Sequence, residues 1–217
     1  MHPERNLVSF ALIVALALAG CDDSSSPDGD GPVTGGAAPD LPPTSNNAAL
    51  KLKAGLRFRN DVAQALDLDP LFCSELGLAD CAAVHSIILG AADAFGSGLY
   101  EPLPETTATS PLAFDRIAVS GCLQRATLDL GNPGAASIFI GLGVDAEGGM
   151  DPASAEAAAA VERLYRKGLS RNPTASESKA VLDMYAAIEE QGSDAPARDW
   201  ATLGCFAVLT SMENVFY

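Results

Sequence analysis

Apolar residues recur at helical spacing through the last third of the chain, and this pattern predicts three consecutive helices. They are predicted over residues 151–170, 174–191 and 197–212. Thr174 and Glu177 have the spacing of a capping box, in which the two side chains satisfy each other's backbone amides at a helix start. Because the connections are short, the three helices are expected to pack together as one unit.

Capping residues followed by proline mark further helix starts. Ser110–Pro111 predicts the beginning of a helix that runs to about Leu128, and Asp151–Pro152 predicts the beginning of the first C-terminal helix. Asp69–Pro70 predicts a third, shorter helix after a turn. In each pair the first side chain can accept a hydrogen bond from a first-turn amide, and proline suits the first helical position.

Other segments carry weaker or mixed patterns. Residues 48–66 predict a helix with a kink at Gly55. The apolar residues 138–140 lie between glycines and predict either one strand or an irregular buried segment, and a single strand cannot form a sheet. The fold class is therefore predicted as mainly α, a small helical domain with at most a minor β element.

A longer segment without a clear period lies between these elements. Residues 91–109 contain two prolines, two glycines and three threonines, which predicts a surface loop. Loops of this length in compact domains are often interaction surfaces. The candidate interaction loop consists of Tyr100, Glu101, Thr106 and Thr107.

The chain begins with an apolar run and continues with an acidic segment. Leu7 to Ala19 is apolar except for Ser9, which fits the core of a signal peptide and is too short to span a bilayer. Residues 22–47 contain five aspartates, no Lys or Arg, and many Pro, Gly and Ser residues. This composition predicts a disordered tether with a root-mean-square reach of about 25–30 Å.

The junction of these two segments, Leu18-Ala19-Gly20-Cys21, resembles the lipobox of bacterial lipoproteins. The resemblance implies that residues 1–20 are a removed signal peptide and that residues 21–47 form a tether lipidated at Cys21, with acyl chains such as palmitate. Several acyl chains hold a protein stably on a bilayer. The implied location is the bacterial cell envelope, at the inner or the outer membrane. The alternative is an ordinary secretory signal that leaves Cys21 as a free thiol.

Four further cysteines remain in a chain expected to be exported, and such an even set predicts two disulfides. Of the three pairings that they allow, Cys73–Cys81 and Cys122–Cys205 are favoured. A metal site is the competing use, but neither CxxC pairs nor accompanying histidines occur, so no metal is predicted. Three of these cysteines fall in a helical and loop subdomain over residues 48–150, and the fourth falls in a three-helix C-terminal unit over residues 151–217.

The chain is strongly acidic, with 28 Asp and Glu residues against 13 Lys and Arg residues. Nucleic-acid binding is not expected, because it requires basic clusters that release counterions. Asp115, Arg116 and Arg125 are predicted to form structural ion pairs on their helix. One local positive cluster is interpreted as a solvated helix face, with contact to anionic headgroups or to an acidic neighbour as the alternative. It consists of Lys51, Lys53, Arg57 and Arg59.

Few residues of the chain suggest an enzymatic or cofactor-binding role. The spacing of Cys81 and His85 approaches a haem-attachment motif, but Val84 stands where that motif requires a cysteine, so His85 is interpreted as a hydrogen-bonded structural residue. Ser176-Glu177-Ser178-Lys179 resembles the SxxK motif of penicillin-recognising enzymes, without their Lys-Thr-Gly segment. No GxSxG motif is present to support a His-based triad. A carboxylate pair stays open, and the chain is predicted to be non-enzymatic and without a cofactor.

A second resemblance covers residues 158–217. It is carried by Leu164-Tyr165-Arg166, by Arg171-Asn172-Pro173-Thr174 and by Trp200-Ala201-Thr202-Leu203. These are similar to the C-terminal helical segment of bacterial exported proteins that often accompany cytochrome-type domains. The predicted function is a membrane-anchored envelope lipoprotein that binds an unknown envelope protein partner or has a structural role. The alternative that the resemblance implies is an accessory subunit of an envelope redox or degradative complex.

Overall fold

A computed structural model describes residues 52–91 and 109–216 of the chain. The predicted signal peptide, the tether with Cys21, and the candidate loop residues Tyr100, Glu101, Thr106 and Thr107 lie outside these ranges. All described residues belong to one compact unit. The mainly α prediction is confirmed, because seven α-helices and one two-stranded sheet make up the regular structure of the described ranges.

The longest helices of the described structure lie in the second half of the chain, and a short hairpin lies in the first half. β1 and β2 pair as an antiparallel hairpin in which Ser74 lies opposite Asp80. The element bounds are α1 Gly55–Ala65, β1 Ser74–Glu75, β2 Ala79–Asp80, α2 Cys81–Val84, α3 Ser110–Gly131, a 3-10 turn Pro133–Ala135, α4 Ala155–Leu169, α5 Ala175–Glu190, α6 Pro196–Leu209 and α7 Met212–Val215.

The core lies around α3 and α6, which have the most extensive contact in the described structure. Ile117, Cys122, Trp200 and Cys205 are buried along this contact. Gly121 brings α3 close to α1, since a Cβ atom there would lie 3.0 Å from side-chain atoms of Val62 and Phe72. Burial of these apolar side chains is the main favourable contribution to folding.

Both predicted disulfides are present. The Cα atoms of Cys73 and Cys81 are 5.6 Å apart, as are those of Cys122 and Cys205, and each pair of sulfurs is at bonding distance. The first bridge closes the hairpin, with a sequence separation of 8, and the second joins α3 to α6, with a sequence separation of 83. Both lie in the shared core, since all four cysteines are buried.

The three predicted C-terminal helices form, and the capping box is confirmed at Thr174 and Glu177. The last of them ends at Leu209 and not at Met212, where the separate helix α7 begins. The predicted start of α4 is wrong by several residues. Ser154, not Asp151, caps this helix by accepting a hydrogen bond from the Ala157 amide. Asp151 instead accepts a hydrogen bond from the Ala153 amide at 2.9 Å, which makes a local turn before the helix.

The predicted starts of α3 and α1 also differ from the structure. Thr109 occupies the cap position of α3, while Ser110 lies inside the helix and donates a hydrogen bond to the Ile88 carbonyl at 2.7 Å. Gly55 is the first residue of α1 and not a kink within a longer helix. A Cβ atom at Gly55 would lie 2.5 Å from the Leu89 side chain, so the glycine permits this close approach.

The short helix predicted after Asp69 is replaced by other structure. No helix follows Asp69, whose carboxylate accepts a hydrogen bond from the Leu71 amide, and the chain turns into β1. Residues 79–90 contain strand β2 and the four-residue α2, which Asp80 caps. Residues 138–140 form the irregular segment of the two alternatives, because the buried Asp129 accepts hydrogen bonds from the Ile138 and Phe139 amides. Ile138 and Phe139 are buried, whereas Ile140 is exposed.

Candidate functional site

A groove follows the outer side of the contact between α3 and α6. The start of α3 and the residues just after α6 line the same depression, through Pro111 and Thr210, whereas Leu123 lines another depression with Asp199 near the start of α6. The two helices therefore run in opposite directions. Their side chains form the two walls of the groove, which we call the α3–α6 groove.

The groove consists of three depressions that share residues. Asp115 lines both the first depression, of about 220 Å³, and the second, of about 500 Å³. Leu203 lines both the second and the third, of about 410 Å³. The three depressions thus form one continuous surface that begins beside α7 and ends near the start of α6.

The walls of the groove are unusually apolar for an exposed surface. Single exposed leucines are normal on proteins, but a contiguous apolar strip marks an interaction site or a binding groove. Helical spacing places positions 112, 116, 119 and 123 on one face of α3, where Arg116 is the charged residue among three apolar ones. The exposed apolar side chains of the groove are Leu112 at 63 % exposure, Val119 at 40 %, Leu123 at 47 %, Leu203 at 41 % and Met212 at 67 %.

Two carboxylates lie among these apolar side chains. Asp115 is half-buried and forms no hydrogen bond or ion pair with any residue in the ranges 52–91 and 109–216. Asp199, on the opposite wall, accepts a hydrogen bond from the Ser193 hydroxyl at 2.6 Å and lies 3.5 Å from Arg198. An ionised carboxylate can accept about four hydrogen bonds, so both retain capacity for a cationic ligand group.

The base of the groove is rigidly connected to the core. The buried Cys122–Cys205 disulfide joins the two helices that form the walls of the groove. The Trp200 indole N–H donates a hydrogen bond to the Val181 carbonyl at 2.8 Å, which connects α6 to α5. A binding surface on such a framework loses little conformational freedom when a ligand binds.

The predicted ion pairs of α3 form, although not among the expected partners. Arg116 contacts Glu75 of β1, and Arg125 contacts Asp129 at 2.5 Å. Asp115 was expected to participate and does not. The sequence did not indicate a structural role for Asp129. In the structure its carboxylate accepts hydrogen bonds from the amides of residues 137–139, at 2.9–3.1 Å.

His85 is a hydrogen-bonded structural residue, as predicted. Its Nε2 atom lies 2.9 Å from Glu75 Oε1, and it connects α2 to the hairpin. The hydrogen bond from His85, together with Arg116, holds the pKa of Glu75 below its ordinary value. Both partners of Glu75 therefore favour its ionised form.

The positive cluster is partly neutralised by neighbours in the chain. Lys53 lies 2.8 Å from Asp61, Arg57 lies 4.0 Å from Asp61, and Arg59 lies 2.7 Å from Asp80. Lys51 lies outside the described residues. The three described members of the cluster thus contact acidic side chains of their own domain.

The SxxK-like segment lies at the start of α5. Ser176 is exposed, with its hydroxyl 3.1 Å from that of Thr174, and Lys179 pairs with Asp183 one turn along the helix. Arg171 bridges Glu177 at 2.6 Å and Glu213 at 2.8 Å, and it thereby joins the start of α5 to α7. This arginine and the amide of the helix cap lower the pKa of Glu177 to about 2.

Within the described ranges, no group of three or more His, Cys, Asp and Glu residues is arranged to hold a metal ion. None of the described helices combines the length and the apolar character that crossing a membrane requires. Comparisons of the chain with protein-family models, with curated proteins and with solved structures found no match. The geometry of this chain is therefore the basis for the functional argument.

Proposed function

We propose that the chain is a lipid-anchored protein of the bacterial cell envelope whose helical domain binds a protein partner in the α3–α6 groove, without catalysing a reaction. The single observation that carries the binding role is the continuous apolar strip on two disulfide-linked helices. Exposed apolar surface of this kind is costly in water and is retained where a partner covers it.

The shape of the strip favours a macromolecule over a small metabolite. Pockets for small ligands are enclosed and combine apolar walls with a few convergent polar groups. The α3–α6 groove is open along its length and presents large side chains such as Leu112 and Met212 outward. A partner that lies along the groove would cover these side chains together.

The envelope location is supported by two features of the chain. Leu18-Ala19-Gly20-Cys21 resembles a lipobox, and the two disulfides are of the kind that persists in oxidising compartments outside the cytosol. The acidic segment 22–47 then serves as the tether. With a reach of about 25–30 Å, it lets the groove meet partners near the membrane surface.

Site-specific photocrosslinking in membranes tests the binding role. A photoreactive amino acid is placed at Val119 or at Leu203, both in the groove, and at Lys179 on α5 as the matched exposed control. We expect one adduct of the same mass from both groove positions and none from Lys179. Equal adducts from all three positions, or none from the groove, would contradict the proposal.

The membrane anchor has its own test. Intact-mass analysis of the mature protein should show acylation at Cys21, and a Cys21→Ala form should leave the membrane fraction. An unmodified thiol in the mature chain would overturn the localisation. The accessory-subunit role would be favoured if the crosslinked partner carried the Soret absorbance band of haem.

A further inference from the structure

We propose that the α3–α6 groove accommodates an amphipathic helix of its partner, with two basic residues eight positions apart that face Asp115 and Asp199. This inference rests on the proposed function, because it specifies the ligand of the same groove. It is carried by the length of the groove, by the position of its two carboxylates and by the charge of the domain.

The length of the groove fits a helix of about three turns. Its α3 wall runs from Leu112 to Leu123, which at about 1.5 Å per residue spans about 16 Å. Helices that bind in grooves insert apolar residues at positions i, i+3 or i+4, and i+7. The exposed side chains of Leu112, Val119, Leu123 and Leu203 offer contacts over this length.

The two carboxylates set the charge of the ligand. Asp115 lies at the junction of the first two depressions, and Asp199 lies in the third, beside Leu123. The distance along α3 from position 115 to position 123 is about 12 Å, or about eight residues of a bound helix. Two residues eight positions apart on a helix point in directions about 80° apart, so one lies on each side of the apolar stripe of that helix. The groove has the matching arrangement, because Asp115 is on the α3 wall and Asp199 is on the α6 wall.

The groove also contains a basic residue, Arg116, which lines the second depression together with Asp115. Arg116 pairs with Glu75 of the hairpin, so its charge is partly neutralised, whereas Asp115 has no partner in the described ranges. A half-buried carboxylate beside apolar side chains interacts with a cation more strongly than one in open water. Complementary charges of this kind determine the orientation and the specificity of a complex.

The charge also argues against two other occupants. A second copy would bring another chain of formal charge −15, and its most exposed apolar side chains within the described ranges, Leu76 and Leu78, lie between Glu75 and Asp80. An anionic lipid surface would face the same repulsion from the groove carboxylates. A basic amphipathic helix has the complementary charge.

Binding of designed peptides tests the inference with the full lipidated chain in detergent. The probe is a stable amphipathic helix with a leucine stripe and two lysines eight positions apart, and its control carries glutamates at both lysine positions. Affinity is measured by fluorescence anisotropy at low and high salt. We expect the lysine peptide to bind at least about 10-fold more tightly, with a preference that shrinks as salt screens the charges.

Variants of the protein assign the effect to the two carboxylates. Asp115→Asn and Asp199→Asn should each weaken the lysine peptide about 3- to 10-fold. Asp183→Asn, which removes a carboxylate on α5, is the matched control and should leave binding unchanged. Leu203→Glu should abolish binding of both peptides, and Val119→Glu repeats this test if Leu203→Glu unfolds.

The peptide and crosslinking experiments together distinguish a failure of the basic-helix inference from a failure of the proposed function. If neither peptide binds, if both bind equally, or if the two aspartate variants behave as Asp183→Asn does, the basic-helix inference is overturned. The proposed function still stands in that case if the photocrosslinked adduct forms and Leu203→Glu prevents it. If Leu203→Glu has no effect on the adduct, the groove is not the partner site and the proposed function fails.

Discussion

The hairpin region, residues 67–91, and the C-terminal helices, residues 155–209, maintain their order in different ways. In the hairpin region the elements have two or four residues, and Leu76 and Leu78 at the tip are 93 % and 89 % exposed. The C-terminal helices have 14 to 16 residues and bury Trp200, Tyr185 and Leu164.

The two regions differ in whether covalent and ionic contacts or buried apolar surface stabilise them. Short elements bury too little surface to offset the loss of chain entropy, so the hairpin region depends on the Cys73–Cys81 bridge and on the Arg59–Asp80 and Glu75–His85 contacts. The C-terminal helices depend on packed apolar faces and on capped ends. Covalent and ionic links thus replace burial in one region and supplement it in the other.

The largest effect is expected when the long-range bridge is removed. A Cys122→Ala/Cys205→Ala chain loses a link between residues 83 positions apart, and the loop-entropy relation gives a decrease of about 4–5 kcal/mol in the free energy of unfolding. Urea denaturation of both chains measures it. A decrease no larger than that for the short bridge would contradict the comparison.

Truncation of a buried aromatic side chain should come next. Trp200→Ala removes the largest fully buried side chain and its hydrogen bond to Val181, with an expected loss of about 3–5 kcal/mol. Leu76→Ala, at the exposed hairpin tip, is the matched control and should change stability by less than about 0.5 kcal/mol. Thermal unfolding of both variants provides the measurement, and similar losses at the two sites would refute the contrast.

Removal of the short bridge should have a smaller and more local effect. Cys73→Ala/Cys81→Ala opens a loop with a sequence separation of 8, for which the same relation gives about 2–3 kcal/mol. Amide hydrogen exchange should accelerate in residues 71–84 while α5 and α6 keep their protection. Uniform acceleration in all helices would show that the hairpin region is not a separate unit of stability.

The smallest effect is a pH dependence at the start of α5. The folded pKa of Glu177 is about 2, below its ordinary value, because Arg171 and the Thr174 amide stabilise the carboxylate. The contribution of Glu177 to the free energy of unfolding is therefore complete above its unfolded pKa of about 4.3, and it is lost as the pH falls towards 2. The difference in free energy of unfolding between the wild type and Glu177→Gln should therefore decrease over this pH range. A difference that stays constant over the whole range would contradict this expectation.

Local patterns predicted the long helices well and the short elements poorly. The capping box at Thr174 and Glu177 involves neighbours in sequence, so its residues are recognisable before folding. Asp69 and Asp151 failed as caps because their side chains accept bonds from amides two residues on, which a turn satisfies as well as a helix does. The strands at residues 74–75 and 79–80 are too short for periodicity to reveal.

The sequence by itself determined the helical class and the C-terminal helices, because these depend on local spacing, and it favoured the observed one of the three pairings that four cysteines allow. Only the tertiary structure decided which exposed apolar residues meet in the α3–α6 groove and which carboxylates differ in role. Asp129 becomes buried under residues 137–139, whereas Asp115 stays beside the groove without a partner in the described ranges. Both outcomes depend on contacts between residues distant in sequence, which no local pattern encodes.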